Sequence, residues 1–217
     1  MSPPRGPRHF AALIPVKPAA VAKSRLRPLG DPVRAELAAA LAVDTTAAAL
    51  ACAAVHEVLV ITDDVVLSAR LSGLGAHAVP DATTDDLNAT LVQAAAEARR
   101  RWPDLGLLAL CADLPALRPG ELLVALDGTG GARFVADAAG TGTTAFIAED
   151  VAAFDPRFGP DSRRRHRDAG AHEIADVPGQ GALSGLRHDV DTPEDLVTAR
   201  SLGVGTATNA VLARHRL

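Results

Sequence analysis

Apolar runs and longer amphipathic stretches alternate along the first part of the chain. Short runs rich in Ala, Val, Leu and Ile, such as Phe10–Ile14 and Glu57–Thr62, are typical of buried strands. The Ala- and Leu-rich stretches Asp31–Ala54 and Asp86–Trp102 are typical of helices. The same pattern predicts a helix over Val65–Leu74, strands over Ala76–Val79 and Leu107–Cys111, and a helix over Pro119–Leu126. This alternation predicts an α/β fold with a mostly parallel, doubly wound, Rossmann-like sheet and helices on both faces.

The regular alternation of predicted strands and helices ends after about residue 130. Two short apolar runs, Arg133–Asp137 and Thr143–Ala148, flank a Gly-rich turn and predict a hairpin. The elements predicted after it are a Gly-Pro turn with a short basic helix over Phe158–Ala169, strands over His172–Val177 and Leu186–Val190, and a helix over Pro193–Leu202. We therefore expect one domain over residues 10–205, with a flexible tail over residues 1–9 and another tail over residues 206–217.

Composition limits the kinds of partner and the cellular compartment that we expect for this protein. The net charge of −4 argues against broad binding to nucleic acid, which needs a basic surface. No apolar run is long enough to span a membrane, and we expect no signal peptide because no apolar h-region follows Met1–His9. Cys52 and Cys111 lie in apolar runs, as buried thiols of a reducing compartment do. We expect a cytoplasmic protein without nucleic-acid or membrane partners; no pattern predicts its oligomeric state.

In doubly wound sheets, ligands bind outside the carboxyl ends of the strands. The residues that follow the predicted strands are therefore site candidates by geometry alone. They are Pro15–Lys17, Asp63 and Asp64, Pro80 and Asp81, and Asp113.

The segment after the first strand, IPVKPAAVAKSRLRP, holds Lys17 and Lys23, the only lysines of the chain. No glycine lies between Gly6 and Gly30, so the G-x-G-x-x-G fingerprint and the P-loop are both absent. Side chains would then have to bind a phosphate here, and Lys17, Lys23, Ser24 and Arg25 offer three cations and a hydroxyl. The alternative is a solvated basic loop.

Three aspartates have the setting of metal ligands. Asp113 follows the apolar strand LLALC, and an Asp there suits Mg²⁺, which prefers hard oxygen ligands. In the stretch HDVDTPEDL, an extended backbone would put Asp189 and Asp191 on one face. The alternatives are a turn cap before Pro115 for Asp113 and a helix start for Asp191.

Two further segments offer groups that bind anions. FGPDS places Gly159 and Ser162 at a Gly-Pro turn before a helix, and free amides at a helix start bind anions. The alternative is a plain capped helix with a solvated Arg face. GTGTT places Thr143 and Thr144 beside a Gly-rich turn, where their hydroxyls could donate to an anion. No nucleophilic triad is visible in the sequence.

Taken in order, IPVKP, AKSRL, ADLP, GTGTT, FGPDS and DVDTPEDL resemble one family. It comprises the guanylyltransferases that make the activated phospho-acid intermediate of coenzyme F-420, including the 2-phospho-L-lactate and phosphoenolpyruvate enzymes. The resemblance covers about residues 10–205. It implies a single GT-A-like nucleotidyltransferase domain that transfers GMP from GTP to the phosphate of phosphoenolpyruvate or 2-phospho-L-lactate and releases pyrophosphate.

The resemblance also implies roles for residues. Asp113, Asp189 and Asp191 match the acidic residues that hold Mg²⁺, for which two ions are expected, and together with Lys17 and Lys23 they are the expected catalytic residues. Thr144, Gly159 and Ser162 match positions that bind the phospho-acid. The expected nucleotide-binding residues are Pro15, Lys17, Lys23, Ser24, Arg25 and Asn88. Asn88 matches although a Gly often found two residues before it is Asp86 here.

Some alternatives stay open from the sequence. The choice between Thr143 and Thr144, the residues that recognise guanine and the identity of the phospho-acid (phosphoenolpyruvate, 2-phospho-L-lactate or 3-phosphoglycerate) are not set. Another nucleotidyltransferase of this fold, acting on a sugar phosphate or a molybdenum cofactor precursor, is the nearest alternative. A non-catalytic nucleotide-binding module is the other.

Overall fold

The computed structural model describes residues 9–17, 26, 29–83, 86–128, 130–175 and 183–217. Strands and helices alternate along it as far as the fourth helix. In chain order the elements are β1 (Phe10–Pro15), α1 (Asp31–Leu50), β2 (Val55–Ile61), α2 (Val65–Ser72), β3 (His77–Val79), α3 (Leu87–Arg101), β4 (Gly106–Leu110), α4 (Pro119–Leu126), β5 (Ala132–Ala136), β6 (Thr143–Ala148), α5 (Ser162–Asp168), β7 (His172–Glu173), α6 (Ser184–Arg187), α7 (Pro193–Leu202) and α8 (Thr206–His215). The predicted bounds of α4, β6 and α7 are confirmed to the residue.

The strands form a seven-stranded sheet in the order β3-β2-β1-β4-β6-β5-β7. Strands β1 to β4 pair with one another in parallel, as do β5 and β7, whereas β6 runs antiparallel to both β4 and β5. The predicted mostly parallel sheet is confirmed. Because β6 is reversed, its first residues, rather than its last, lie beside the carboxyl end of β4, where Leu110 pairs with Ala145.

Both faces of the sheet are buried, as continuous apolar strands require. On β1, Ala12 and Ile14 belong to a core cluster that includes residues of α1, α2, α4 and α6. Ala11 and Leu13 belong to the cluster on the other face, which includes residues of α3. A third cluster joins the outer side of α1 to α7 and α8. Helices on both faces are thus confirmed, and α1 is buried on two sides.

The strand predicted over Leu186–Val190 is wrong. The chain there forms the short helix α6, and residues 188–191 have no regular structure. Leu183 and Leu186, three residues apart, are buried in the core as one helical turn permits. A Cβ on Gly185 would overlap the carbonyl oxygen of Ala116, so glycine permits the close approach of α6 to that loop.

The tail predicted over residues 206–217 is also wrong, because that part of the chain forms α8 and packs on α1. The buried carboxylate of Asp44 on α1 accepts hydrogen bonds from the amides of Ala207 (2.9 Å) and Thr208 (2.7 Å). It therefore caps α8 from a distance of 163 residues in sequence. No capping side chain precedes α8 locally. The predicted N-terminal tail lies outside the described residues, apart from His9.

In the part of the chain that the structure describes, none of the helices has both the length and the apolarity that a membrane span requires.

Candidate functional site

A cavity of about 250 Å³ opens at the carboxyl ends of β1 and β4. Its position agrees with the rule for doubly wound sheets. Its lining consists of Pro15, Val16, Lys17, Ala38, Leu87, Leu91, Leu110, Cys111, Ala112, Asp113, Phe158 and Asp191. One wall is thus apolar, and the polar part of the lining contains one ammonium group and two carboxylates.

Lys17 comes to the cavity at the end of β1. The amide of Val16 donates to the carbonyl of Ile61 at 2.8 Å, which extends the β1–β2 pairing past Pro15. Lys17 directly follows this fixed position, and its side chain is exposed. The other predicted phosphate-binding residues, Lys23, Ser24 and Arg25, lie outside the described residues.

Asp113 lies in the loop that follows β4. The amide of Cys111 donates to the carbonyl of Thr144 at 2.9 Å and continues the β4–β6 pairing up to this loop. The carbonyl of Asp113 accepts from the amide of Val190 at 3.1 Å. This bond joins the Asp113 loop to the segment that carries Asp189 and Asp191.

Asp191 lines the cavity, whereas Asp189 is half-buried and does not line it. Thr192, and not Asp191, caps α7, since its hydroxyl accepts from the amide of Asp195 at 3.2 Å. The Asp195 carboxylate accepts in return from the amides of Asp191 (3.0 Å) and Thr192 (2.8 Å). Burial raises the pKa of Asp195, but these hydrogen bonds outweigh it and leave the pKa below the ordinary value. The Asp191 carboxylate is therefore not used as the helix cap.

The carboxylates can be compared with the needs of a divalent cation. Among the described residues, no three His, Cys, Asp or Glu side chains come together as a preformed metal site. Asp113 and Asp191 nevertheless line the same cavity. Mg²⁺ is commonly held by one or two carboxylates, with substrate phosphates and water as its other ligands. The pair fits an ion of this kind, completed by a phosphate-bearing substrate.

The two threonines at the start of β6 differ in their hydrogen bonding. The Thr143 hydroxyl lies 3.0 Å from Nδ1 of His166. Thr144 is fully buried, and its hydroxyl makes no hydrogen bond to any residue that the structure describes. Neither residue lines the cavity. Of the two hydroxyls, only that of Thr143 is therefore held by a side-chain partner among the described residues.

His166 holds the start of β6 against the loop before α5. Its Nε2 accepts from the amide of Arg157 at 2.9 Å, so in the neutral ring the proton lies on Nδ1, which donates to Thr143. The ring stacks on Phe146 at 4.8 Å between centroids. Burial lowers the pKa of His166 to about 4. The residue is a neutral structural group at neutral pH, with both ring nitrogens in use.

The loop that contains Gly159 leads directly from the cavity wall to Ser162. Phe158 lines the cavity, Gly159 has φ +111°, and the buried Ser162 donates its amide to the carbonyl of Gly159 at 3.1 Å. Asp161 precedes α5 in a left-handed conformation (φ 54°) and makes no side-chain cap. Gly159 and Ser162 are thus close in sequence to Phe158, but they do not line the cavity themselves.

Asn88 binds the backbone of Phe158 with both ends of its amide. Its Oδ1 accepts from the Phe158 amide at 2.8 Å, and its Nδ2 donates to the Phe158 carbonyl at 3.1 Å. Asn88 therefore fixes the backbone of Phe158, which lines the cavity. A contact between Asn88 and the nucleotide stays a prediction.

The aspartates after β2 and β3 have structural partners instead of cavity positions. Asp64 caps α2 by accepting from the amide of Leu67 at 2.9 Å. Asp63 accepts from the amide of Asp81 at 3.0 Å and joins the two loops. None of these aspartates lines the cavity.

The sequence reasoning missed the apolar wall. Leu87 and Leu91, four residues apart on α3, lie on one face of that helix, and this spacing was the available signal. It also missed Thr45, a fully buried residue of α1 that touches the Asp113 loop. A threonine within an Ala-rich helix was the only trace of it in the sequence.

The sequence matches the family model described as "Guanylyl transferase CofC like" over residues 10–216. The chain is 50% identical over 207 residues to a protein of Thermomonospora curvata named phosphoenolpyruvate guanylyltransferase, covering 94% of this chain and 89% of that protein. It is 49% identical over 213 residues to a protein of the same name from Streptomyces scabiei, covering 95% and 97%.

Solved structures share the fold at low sequence identity. A putative nucleotide-diphospho-sugar transferase from Desulfovibrio desulfuricans has a TM-score of 0.70 at 17% identity and covers 96% of both chains. A CMP:2-keto-3-deoxy-manno-octonic acid synthetase complexed with CTP has a TM-score of 0.53 at 18% identity, covering 89% of this chain and 98% of that one. These two likenesses concern the fold alone.

Proposed function

Because the chain belongs to the family of guanylyl transferases whose model spans residues 10–216, we propose that it transfers GMP from GTP to the phosphate of phosphoenolpyruvate. The observation that carries this proposal is near-full-length similarity, at up to 50% identity, to proteins named phosphoenolpyruvate guanylyltransferase. The place of the reaction is the biosynthesis of coenzyme F-420.

The reaction joins two anions. A phosphate oxygen of phosphoenolpyruvate attacks the α-phosphorus of GTP, the bond from that phosphorus to the bridging oxygen of the β-phosphate breaks, and pyrophosphate leaves. A phosphate monoester has a second pKa of about 6 and is mostly deprotonated at neutral pH, so the attack requires no general base. The catalytic task is therefore to align the reactants and to stabilise negative charge.

The lining of the cavity suits that task. Lys17 binds the phosphates of GTP and stabilises the leaving pyrophosphate, aided by Lys23, Ser24 and Arg25 of the following segment. Asp113 and Asp191 hold Mg²⁺, and Asp189, two residues before Asp191, completes the acidic set. The ion neutralises phosphate charge when bound. Thr144, Gly159 and Ser162 bind the carboxylate of phosphoenolpyruvate.

Mass spectrometry tests the proposal. The purified chain is incubated with GTP, Mg²⁺ and an equal mixture of phosphoenolpyruvate, 2-phospho-L-lactate and 3-phosphoglycerate, and the guanylylated products and pyrophosphate are measured. We expect the phosphoenolpyruvate adduct to dominate. Guanylylation of a different acid would correct the substrate. Absence of pyrophosphate release with every acid, in a folded protein, would refute the proposed transfer.

A further inference from the structure

One side chain of α1 reaches the loop that carries Asp113. Thr45 is fully buried, and its hydroxyl accepts from the amide of Leu114 at 3.0 Å. The same hydroxyl lies 3.2 Å from the carbonyl of Ala112, a distance at which it can donate. A single oxygen atom therefore contacts the backbone on both sides of Asp113.

The hydroxyl has one proton and two acceptors within reach. The carbonyl of Leu41, one turn earlier on α1, lies at 3.0 Å and shares that proton with Ala112. The bond from Leu114 has no such competitor, because it uses a lone pair of the oxygen. Leu114 is fully buried, so water cannot reach its amide, and Thr45 supplies the acceptor that this amide needs.

Other bonds fix the same loop through backbone atoms alone. The carbonyl of Asp113 accepts from the amide of Val190, and the carbonyl of Pro115 accepts from the amide of Gly205 at 2.8 Å. Thr45 adds side-chain hydrogen bonds to these backbone bonds. Val190 is buried in the core cluster that contains residues of α7 and α8, and Gly205 directly precedes α8.

We propose that Thr45 is a positioning residue of the active site, which holds the Asp113 carboxylate in place through the backbone of residues 112–114. The inference rests on the proposed function at one point, which is that Asp113 belongs to the site where the reaction takes place. Without the hydroxyl, the buried amide of Leu114 can be satisfied only if the loop moves toward water, and Asp113 moves with it.

The chain offers a matched control next to Thr45. Thr46 is also fully buried on α1, and its hydroxyl makes no hydrogen bond to any described residue. The test compares Thr45→Val, which keeps the shape and removes the hydroxyl, with Thr45→Ser, which keeps the hydroxyl, and with Thr46→Val. Thr45→Ala is made as a second variant without the hydroxyl, in case the valine does not fold.

Two measurements are made on each folded variant. We expect Thr45→Val to lower kcat/KM about 10- to 100-fold, mostly through kcat. The loss of a residue that orients a metal ligand lowers activity by about that factor. Thr45→Ser should recover most of the loss, and Thr46→Val should stay within about twofold of the wild type. Amide hydrogen exchange of residues 111–117, followed by mass spectrometry, should rise about tenfold or more in Thr45→Val and not in Thr46→Val.

The outcomes separate this inference from the proposed function. Unchanged exchange in residues 111–117 of Thr45→Val would overturn the positioning role, whatever the enzyme catalyses. Equal loss of activity in Thr45→Ser and Thr45→Val would also overturn it, since keeping the hydroxyl in the serine variant would then preserve no activity. If the wild type transfers no guanylyl group, the proposed function fails, and the exchange measurement still decides whether Thr45 fixes the loop.

Discussion

The amide of Val190 donates to the carbonyl of Asp113 at 3.1 Å. Through this bond, two acidic segments that are far apart in the sequence meet at one cavity. The loop after β4 supplies Asp113, and the segment before α7 supplies Asp191. Thr192, and not Asp191, caps α7.

We expect Asp113→Asn and Asp191→Asn each to lower kcat about 10²- to 10³-fold with little change in thermal stability. Each substitution keeps the shape of the side chain and removes its negative charge. Pyrophosphate release under saturating GTP measures the effect, and Asp63→Asn, at the same edge of the sheet but outside the cavity, is the control. Wild-type turnover by a folded Asp113→Asn protein would contradict the metal-binding role. Asp189→Asn, measured beside them, tests whether that carboxylate takes part.

Among the described residues, Lys17 is the cation that lines the cavity, and its substitution should change the kinetics with GTP most. We expect Lys17→Ala to lower kcat/KM for GTP about 10²-fold. Lys17→Arg should cause a smaller but measurable loss, because the planar guanidinium cannot replace a compact ammonium at a phosphate that changes geometry. Steady-state kinetics with varied GTP measure both, with the exposed Arg70→Ala on α2 as control. Kinetics unchanged in both Lys17 variants would indicate a solvated lysine.

His166 should make the stability of the protein depend on pH. Its pKa is about 4 in the folded protein, below the ordinary value of 6.5. Between these values the unfolded chain binds a proton that the folded protein does not, so stability falls as the pH falls. From about pH 7 to about pH 5, the loss attributable to this group is about 2 kcal/mol.

The free energy of unfolding in urea at the two pH values measures this dependence. In His166→Gln, whose amide can still donate and accept, the pH dependence should be smaller by that amount. The exposed His172→Gln serves as control and should retain the wild-type dependence. Equal pH dependence in His166→Gln and wild type would show that His166 is not the group responsible.

Asp44 should be important for stability although it lies outside the site. Asp44→Ala removes both acceptors of the α8 amides, and we expect it to lower the free energy of unfolding by about 2 kcal/mol. Asp44→Asn keeps one acceptor and should cost less. Thermal melting measures both, with the exposed Asp104→Ala as control. A melting temperature unchanged in Asp44→Ala would contradict the capping role.

Local patterns predicted the sheet and the charged residues of the cavity lining. The strand before Asp113 is a continuous apolar run, and the rule for parallel sheets then places Asp113 at the site without knowledge of any contact. The same rule selected Asp63 and Asp81, which have structural partners instead. Sequence cannot separate these cases, because the distinction depends on which loops meet across the sheet.

The features that were missed depend on contacts between distant residues. Helix α8 has no local cap and few large apolar side chains, and only Asp44, folded against it, completes its first turn. The run from Leu186 to Val190 predicts a strand instead of the end of α6, because it is too short to show a helical period. Thr45 is unremarkable among its Ala neighbours until the loop after β4 is folded upon it.

The long-range attachment of α8 has a consequence for the synthesis of the protein. The loop of Asp113 is held by Gly205, and the helix that follows Gly205 is held by Asp44. Residues 205–208 must therefore have left the ribosome before this loop acquires all its hydrogen bonds. The nascent chain can build the parallel half of its sheet earlier, but we expect catalytic competence to arise only after α8 has docked.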